Sequence, residues 1–179
     1  SNKTYLPEWI EQAAEKYHFE KALPRYFVMP VFLKMLKPFK TKNPERAKLA
    51  HAKGYDSVVY SGAGTVMHDT EYIVYSPTQI KAADGTNTTF NDNPDIRFSI
   101  GGKLSSETLY PIIESPAFKK WFAGSMAVDE AGAPLVLYRG EHGEKAGTIE
   151  SRLPTITFVR EIKVAEIYAK DPNNKTLDS

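Results

Sequence analysis

Apolar residues near the start of the chain recur at three- and four-residue spacing: Leu6, Trp9, Ile10, Ala13, Ala14 and Tyr17. That period predicts an amphipathic helix over 7–21, with Pro7 in its first turn and Glu8 and Glu11 favouring its N-terminus. The aromatic and aliphatic run from Tyr26 to Leu36 predicts a strand, in which Pro30 marks an edge position or a bulge. Asn43-Pro44 caps a helix through Lys53 that Gly54 stops. Ser57 to Tyr60 reads as a strand, Ser61-Gly62-Ala63-Gly64 as a turn, and Glu71 to Tyr75 as a strand ended by Ser76-Pro77. The polar stretch from Ala83 to Asp95 is a surface loop. Ser115-Pro116 opens a helix through Phe122, with Gly124 beyond it. Glu130 to Pro134 is turn-like, Leu135 to Tyr138 is a strand followed by Arg139-Gly140, and Glu141 to Leu153 is a polar loop. Thr155 to Phe158 is strand-like, and Val164, Ala165, Ile167 and Tyr168 form a short helix. The layout is α+β, without an internal repeat or heptads.

Composition narrows the choice of chemistry. The 179 residues suffice for one domain with a sizeable core, and 41% hydrophobic with 25% charged residues is ordinary for a globular chain. Lys+Arg number 23 against 22 Asp+Glu, so no overall basic field attracts nucleic acid, although a local patch stays open. The absence of cysteine excludes a disulfide framework, a thiolate zinc site and a cysteine nucleophile. The four histidines, His18, His51, His68 and His142, lack metal-ligand spacing, so no metal is assigned. His68 suits acid–base chemistry near neutral pH, against the plainer reading of a loop bystander. His18 and His51 fall in helical patterns as surface residues, and His142 lies close to Arg139. No apolar run is long enough for a bilayer, and Ser1-Asn2-Lys3 leads straight into a polar helix pattern without a secretory leader.

Several segments resemble parts of one family. Leu135-Val136-Leu137-Tyr138-Arg139-Gly140, Thr155-Ile156-Thr157-Phe158 and Val164-Ala165-Glu166-Ile167-Tyr168-Ala169 are similar to the first strand, the Ser-Thr-Ser strand and the following helix of ADP-ribosyltransferases. Ser115 to Phe122 resembles the lead-in helix of phage-type members. Phe27 to Lys34, Lys53-Gly54-Tyr55-Asp56-Ser57-Val58-Val59-Tyr60 and Asp69-Thr70-Glu71-Tyr72-Ile73-Val74-Tyr75-Ser76-Pro77 resemble the family's middle strand, its Gly-Tyr-Asp-Gly strand (with Ser57 for the last glycine) and its glutamate strand. Thr78-Gln79-Ile80-Lys81 and Asn93-Pro94-Asp95-Ile96-Arg97-Phe98-Ser99 are similar to the exit and tail found in phage and mobile-element polyvalent proteins. Residues 25–99 thus resemble the C-terminal half, and 115–169 the N-terminal half, of one domain spanning 1–179, with 100–114 as connector. The order is reversed. A circular permutation, a domain-swapped homodimer or a chain spanning two neighbouring domains would explain it. The first two are favoured because each expected part occurs once, and neighbouring termini tolerate such rearrangement.

The resemblance implies a split β-sandwich, a pair of small sheets with flanking helices, and NAD as substrate in the cleft between them. It implies transfer of ADP-ribose to a protein or other acceptor, or NAD hydrolysis, in a host cytoplasm or after delivery by a phage. Glu71 would stabilise the oxocarbenium-like transition state, against the plainer reading of a solvated strand-end glutamate. Arg139 would hold the pyrophosphate by paired hydrogen bonds, against that of a surface arginine in a salt bridge. Thr157 would position the ribose, with Thr155 on the same side of the strand, although β-branched residues also simply form strands. Tyr138 and Gly140 would flank the dinucleotide. Tyr168 would stack on nicotinamide, against a core role. Asp69 stands where family members carry a Gln or Glu that receives the acceptor. The rivals are an inactive transferase-like binding module and a small toxin-type ribonuclease.

Overall fold

The computed structural model describes residues 26–63, 69–87, 89–96, 109–142 and 155–170. The predicted helix over 7–21, His18, His68, most of the 141–153 loop and nearly all of the 100–114 connector lie outside them. Among the described residues eleven strands and α-helices follow one another: β1 (Tyr26–Leu33), β2 (Pro38–Thr41), α1 (Pro44–Lys48), β3 (Ser57–Tyr60), β4 (Glu71–Val74), β5 (Ile80–Ala82), α2 (Leu109–Glu114), α3 (Pro116–Phe122), β6 (Leu137–His142), β7 (Ile156–Val159) and α4 (Ile162–Lys170). The local signals act as read. The Asn43 side chain accepts from the Arg46 N–H at 3.0 Å and Pro44 opens α1. Ser115 Oγ accepts from the Phe118 N–H at 3.1 Å to cap α3. The helix predicted through Lys53 ends instead at Lys48. The chain continues through one 3₁₀ turn, His51–Lys53, and Gly54 closes it at φ 77°, a backbone setting that favours glycine.

The strands join in one seven-stranded sheet in the order β2-β3-β4-β7-β6-β1-β5. Only β2 and β3 run parallel among these pairs. The fold is α+β. The strands form one open sheet where a split pair of small sheets was expected. The last two strands in sequence, β6 and β7, occupy its centre, so the two segments that resemble family halves interleave within this chain. β6 runs through Arg139 and Gly140 to His142 because β1 pairs alongside it, Met29 opposite Arg139 and Val28 opposite Gly140. The local sequence ends that strand at Tyr138; the neighbouring strand extends it. Pro30 is not on an edge strand. It stands where the β1–β5 ladder ends: its carbonyl accepts from the Ala83 N–H at 2.9 Å, and its missing N–H leaves that pair without the return bond. Neither β2 nor β5 was expected from pattern, both being too short to show a period.

Alternation along the strands sorts side chains onto two faces. One face carries Glu71, Ile73, Thr157, Val159, Tyr138, Gly140 and Val28, covered by α4 and by the α1 segment. The other carries Tyr72, Val74, Ile156, Phe158, Leu137 and Met29 and meets the larger core with α3. There Phe32 meets Phe118 edge-on at 4.9 Å between ring centres, and Phe118 stacks on Phe122 at 5.1 Å.

Candidate active site

Glu71 opens β4 and is 2% exposed, so it is not the solvated strand-end residue of the plainer reading. Its Oε1 accepts a hydrogen bond from the Tyr168 hydroxyl at 3.0 Å. A buried carboxylate is costly without such donors. Glu71 stands opposite Val159, and Ile73 stands opposite Thr157, so Thr157 is the diagonal neighbour of Glu71 on the same face. Thr157 is buried, and half-buried Thr155 lies just before β7. Tyr138 is level with Val159 and packs in the cluster of Val159, Val164 and Ala165. Sheet and helix therefore bring Glu71, Thr157, Tyr138 and Tyr168 to one face.

Arg139 goes to the other face. It follows Tyr138 by one residue, stands opposite Met29, and its guanidinium carbon lies 5.9 Å from the Phe158 ring centre. Its Nε bonds the Glu141 carboxylate, and Nη1 donates to the Thr157 carbonyl oxygen at 3.0 Å. The convergence of Arg139 and Glu71 on one dinucleotide is not met in this arrangement, and the salt-bridge reading of Arg139 describes what it does here. The reason is the strand period of two, which turns consecutive residues to opposite faces. Glu141, two residues on, shares that face, because β6 continues past the polar loop predicted from Glu141 onward and so puts the pair within reach. Among the described residues β6 and β7 register at a single pair, Tyr138↔Val159. Beyond it, the Arg139 side chain reaches across to β7.

Gly140 serves packing. A Cβ there would run into the Ala165 carbonyl oxygen and come within 2.7 Å of the Ala169 nitrogen. Glycine thus lets α4 lie directly on β6, which delivers Tyr168 to Glu71. Asp69 is engaged by backbone donors within the chain. Its carboxylate takes N–H bonds from Arg160 and Glu161 at 3.0 Å each and from Thr70 at 2.7 Å, capping the turn that opens α4 from the residues just before β4. No local signal could have revealed that cap.

The Gln-Ile-Lys motif holds the fold. Gln79 Oε1 accepts from the Tyr75 and Ser76 N–H groups, and Nε2 donates to the carbonyls of Lys34 and Asp56 at 3.1 and 3.0 Å. Lys81 is fully buried and donates from Nζ to the Asn93 carbonyl at 2.5 Å. Burial pushes its pKa down, with Asp92 and Asp95 opposing. The Tyr72 hydroxyl is pushed above its ordinary value by burial, with Arg160 pulling it down and Asp69 adding to the rise. His51 packs against Tyr75 with the rings tilted by 40° and 4.3 Å between their centres, and the His142 side chain lies outside the described residues. Among the described residues no helix is long and apolar enough to cross a membrane. No family model matches the chain, and neither a curated protein nor a solved structure matches it.

Proposed function

We propose that this protein transfers ADP-ribose from NAD to an acceptor, with Glu71 as the carboxylate that stabilises the developing oxocarbenium ion. The observation that carries this reading is the buried Glu71–Tyr168 pair beside Thr157. A carboxylate kept out of water acts at higher electrostatic strength on a nearby cation than a solvated one. As the nicotinamide–ribose bond breaks, its electrons leave with nicotinamide, positive charge grows on the ribose, and the acceptor nucleophile then bonds the anomeric carbon. Thr157 offers a hydroxyl on the same face for the ribose, and the Tyr168 ring offers a flat surface for nicotinamide.

Arg139 weighs against the full version of this mechanism, because its guanidinium is engaged by Glu141 and Thr157 on the other face. That placement favours a second reading, a transferase-like binding module without turnover. NAD labelled in its adenylate moiety separates the two. The transferase releases nicotinamide and passes label to an acceptor or to water. Glu71→Gln lowers that rate by roughly two orders of magnitude while circular dichroism stays unchanged. No nicotinamide released by the folded wild type would end the transferase proposal. Turnover that survives Arg139→Ala would show that the pyrophosphate is held by other groups.

A further inference from the structure

We propose that the β2 edge of the sheet is a docking rim for the phosphate backbone of nucleic acid. This proposal is independent of the assignment of Glu71. The balanced charge of the whole chain conceals a strong local asymmetry. From Lys34 to Lys53 the sequence holds seven Lys or Arg and one acid, Glu45, which leaves the rest of the chain with sixteen basic and twenty-one acidic residues. The fold displays these charges together. Lys37, Lys40, Lys42, Arg46, Lys48 and Lys53 are all exposed. Lys40 alternates onto one face of the sheet while α1 covers the other, so the cations wrap around the edge strand from both sides.

Little neutralises them. Among the described residues Lys48 pairs with Glu45 at 3.8 Å, both well exposed, a geometry worth little in water. Asp56, whose oxygens accept from the Leu36 and Lys37 N–H groups and the Ser57 hydroxyl, adds one negative charge beside the rim, which stays strongly positive against its seven cations. Lys37 also lies over the Tyr55 ring, 5.1 Å from its centre, which fixes the start of the row. Lys40 lies within β2, and Lys37 and Lys42 lie on the bends just before and after it, giving a series of point charges at the middle and both ends of the edge strand. A linear polyanion matches that series through side-chain contacts and without base readout. An acidic peptide adding as a further strand fits less well. Pro38 removes a donor from this edge and Lys40 projects from it, the two devices that protect edges from strand addition. The exposed large apolar residues of this stretch, Leu36 and Leu49, are aliphatic and offer no aromatic anchor for a protein partner.

The test uses the protein with a fluorescent 20-nucleotide single-stranded DNA, read by anisotropy at rising salt. Neutralising about four phosphates gives a log–log salt slope near −3, so affinity falls about 50-fold between 50 and 200 mM salt. The variant Lys37→Glu/Lys40→Glu/Lys42→Glu loses at least about tenfold at the lower salt. The control Lys119→Glu/Lys120→Glu/Lys163→Glu, with the same change in net charge on α3 and α4, loses less than about threefold. If the charge-reversed rim fails to fold by circular dichroism, Lys37→Gln/Lys40→Gln/Lys42→Gln replaces it, with the same direction of effect. Three results overturn the proposal: no DNA binding at 50 mM salt, equal loss in the control variant, or retention of poly-glutamate or anionic vesicles by a rim that ignores DNA.

Discussion

Two neighbouring residues of β6 show how position, more than identity, assigns a role. Tyr138 and Arg139 are adjacent, yet one joins the Glu71 face and the other the opposite face, because a strand alternates its side chains. Gly140, next along, carries no side chain and so admits the backbone of α4. Gly140→Ala forces that helix outward. It is expected to destabilise the protein by about 2–3 kcal/mol and lower the melting midpoint by roughly 4–12 °C, read by calorimetry. A midpoint unchanged within a degree would mean that α4 does not lie on β6 as described. The residue types of the candidate site were legible in the sequence: a glutamate opening a strand, a Tyr-Arg-Gly run, and threonines two apart. Their mutual facing was not, since it depends on which strand each one pairs with.

At the scale of elements, α4 and β5 are both held from a distance. Asp69 caps α4 across more than ninety residues. Beyond β5 the chain folds back on the sheet edge: Ala82 donates to the Ile96 carbonyl, Asn87 Nδ2 donates to the same oxygen, and Lys81 holds Asn93. Phe90 adopts φ 45°, a strained setting for a bulky residue. The Asn87 side chain maintains it by accepting the Phe90 N–H at 2.9 Å, while the ring packs against Phe118 and Trp121. The Gln-Ile-Lys and Asn-Pro-Asp-Ile signals therefore form one clasp. Lys81 makes its strength depend on pH. Its folded pKa lies below the value of 10.5 it has when solvated. The unfolded chain thus binds the extra proton in the interval between them, and stability gains from this group as pH rises through that interval. Tyr72 and Tyr75 act oppositely: their pKa values are raised from 10.0, so their contribution is complete below that pH and is lost above it. Denaturant titrations of wild type and Lys81→Met across the alkaline range should differ by a rising component present only in wild type. Parallel curves would show that Lys81 does not carry its charge in a buried site.

For the molecule as a whole, the central position of β6 and β7 decides how it folds. They lie between β4 and β1, so within the sheet the β2-β3-β4 ladder joins the β1-β5 ladder only through them. A chain ending at Ile96 leaves β4 and β1 with open edges facing one another. It is expected to give no cooperative thermal transition, whereas the full chain melts once, with Trp121 fluorescence and far-ultraviolet dichroism coinciding. A cooperative transition in the shortened chain would contradict the interleaved sheet. The same scale shows why net charge misleads: a nearly neutral total contains a basic rim whose cations are gathered within one stretch of sequence and which the fold leaves on an exposed edge of the sheet.

The amino-acid order alone settled the local features: the α+β mixture, the Asn43 and Ser115 caps, the Gly54 stop, and the strands at Ser57–Tyr60 and Glu71–Val74. These depend on contacts between residues a few positions apart, so they can be read in place. Three-dimensional packing settled the rest: that the strands make one sheet, that β6 extends past Tyr138, that Glu71 is buried against Tyr168, and that Arg139 turns away from it. Each of those depends on partners far along the chain, whose choice reflects the burial of whole faces and leaves no mark in the neighbouring residues.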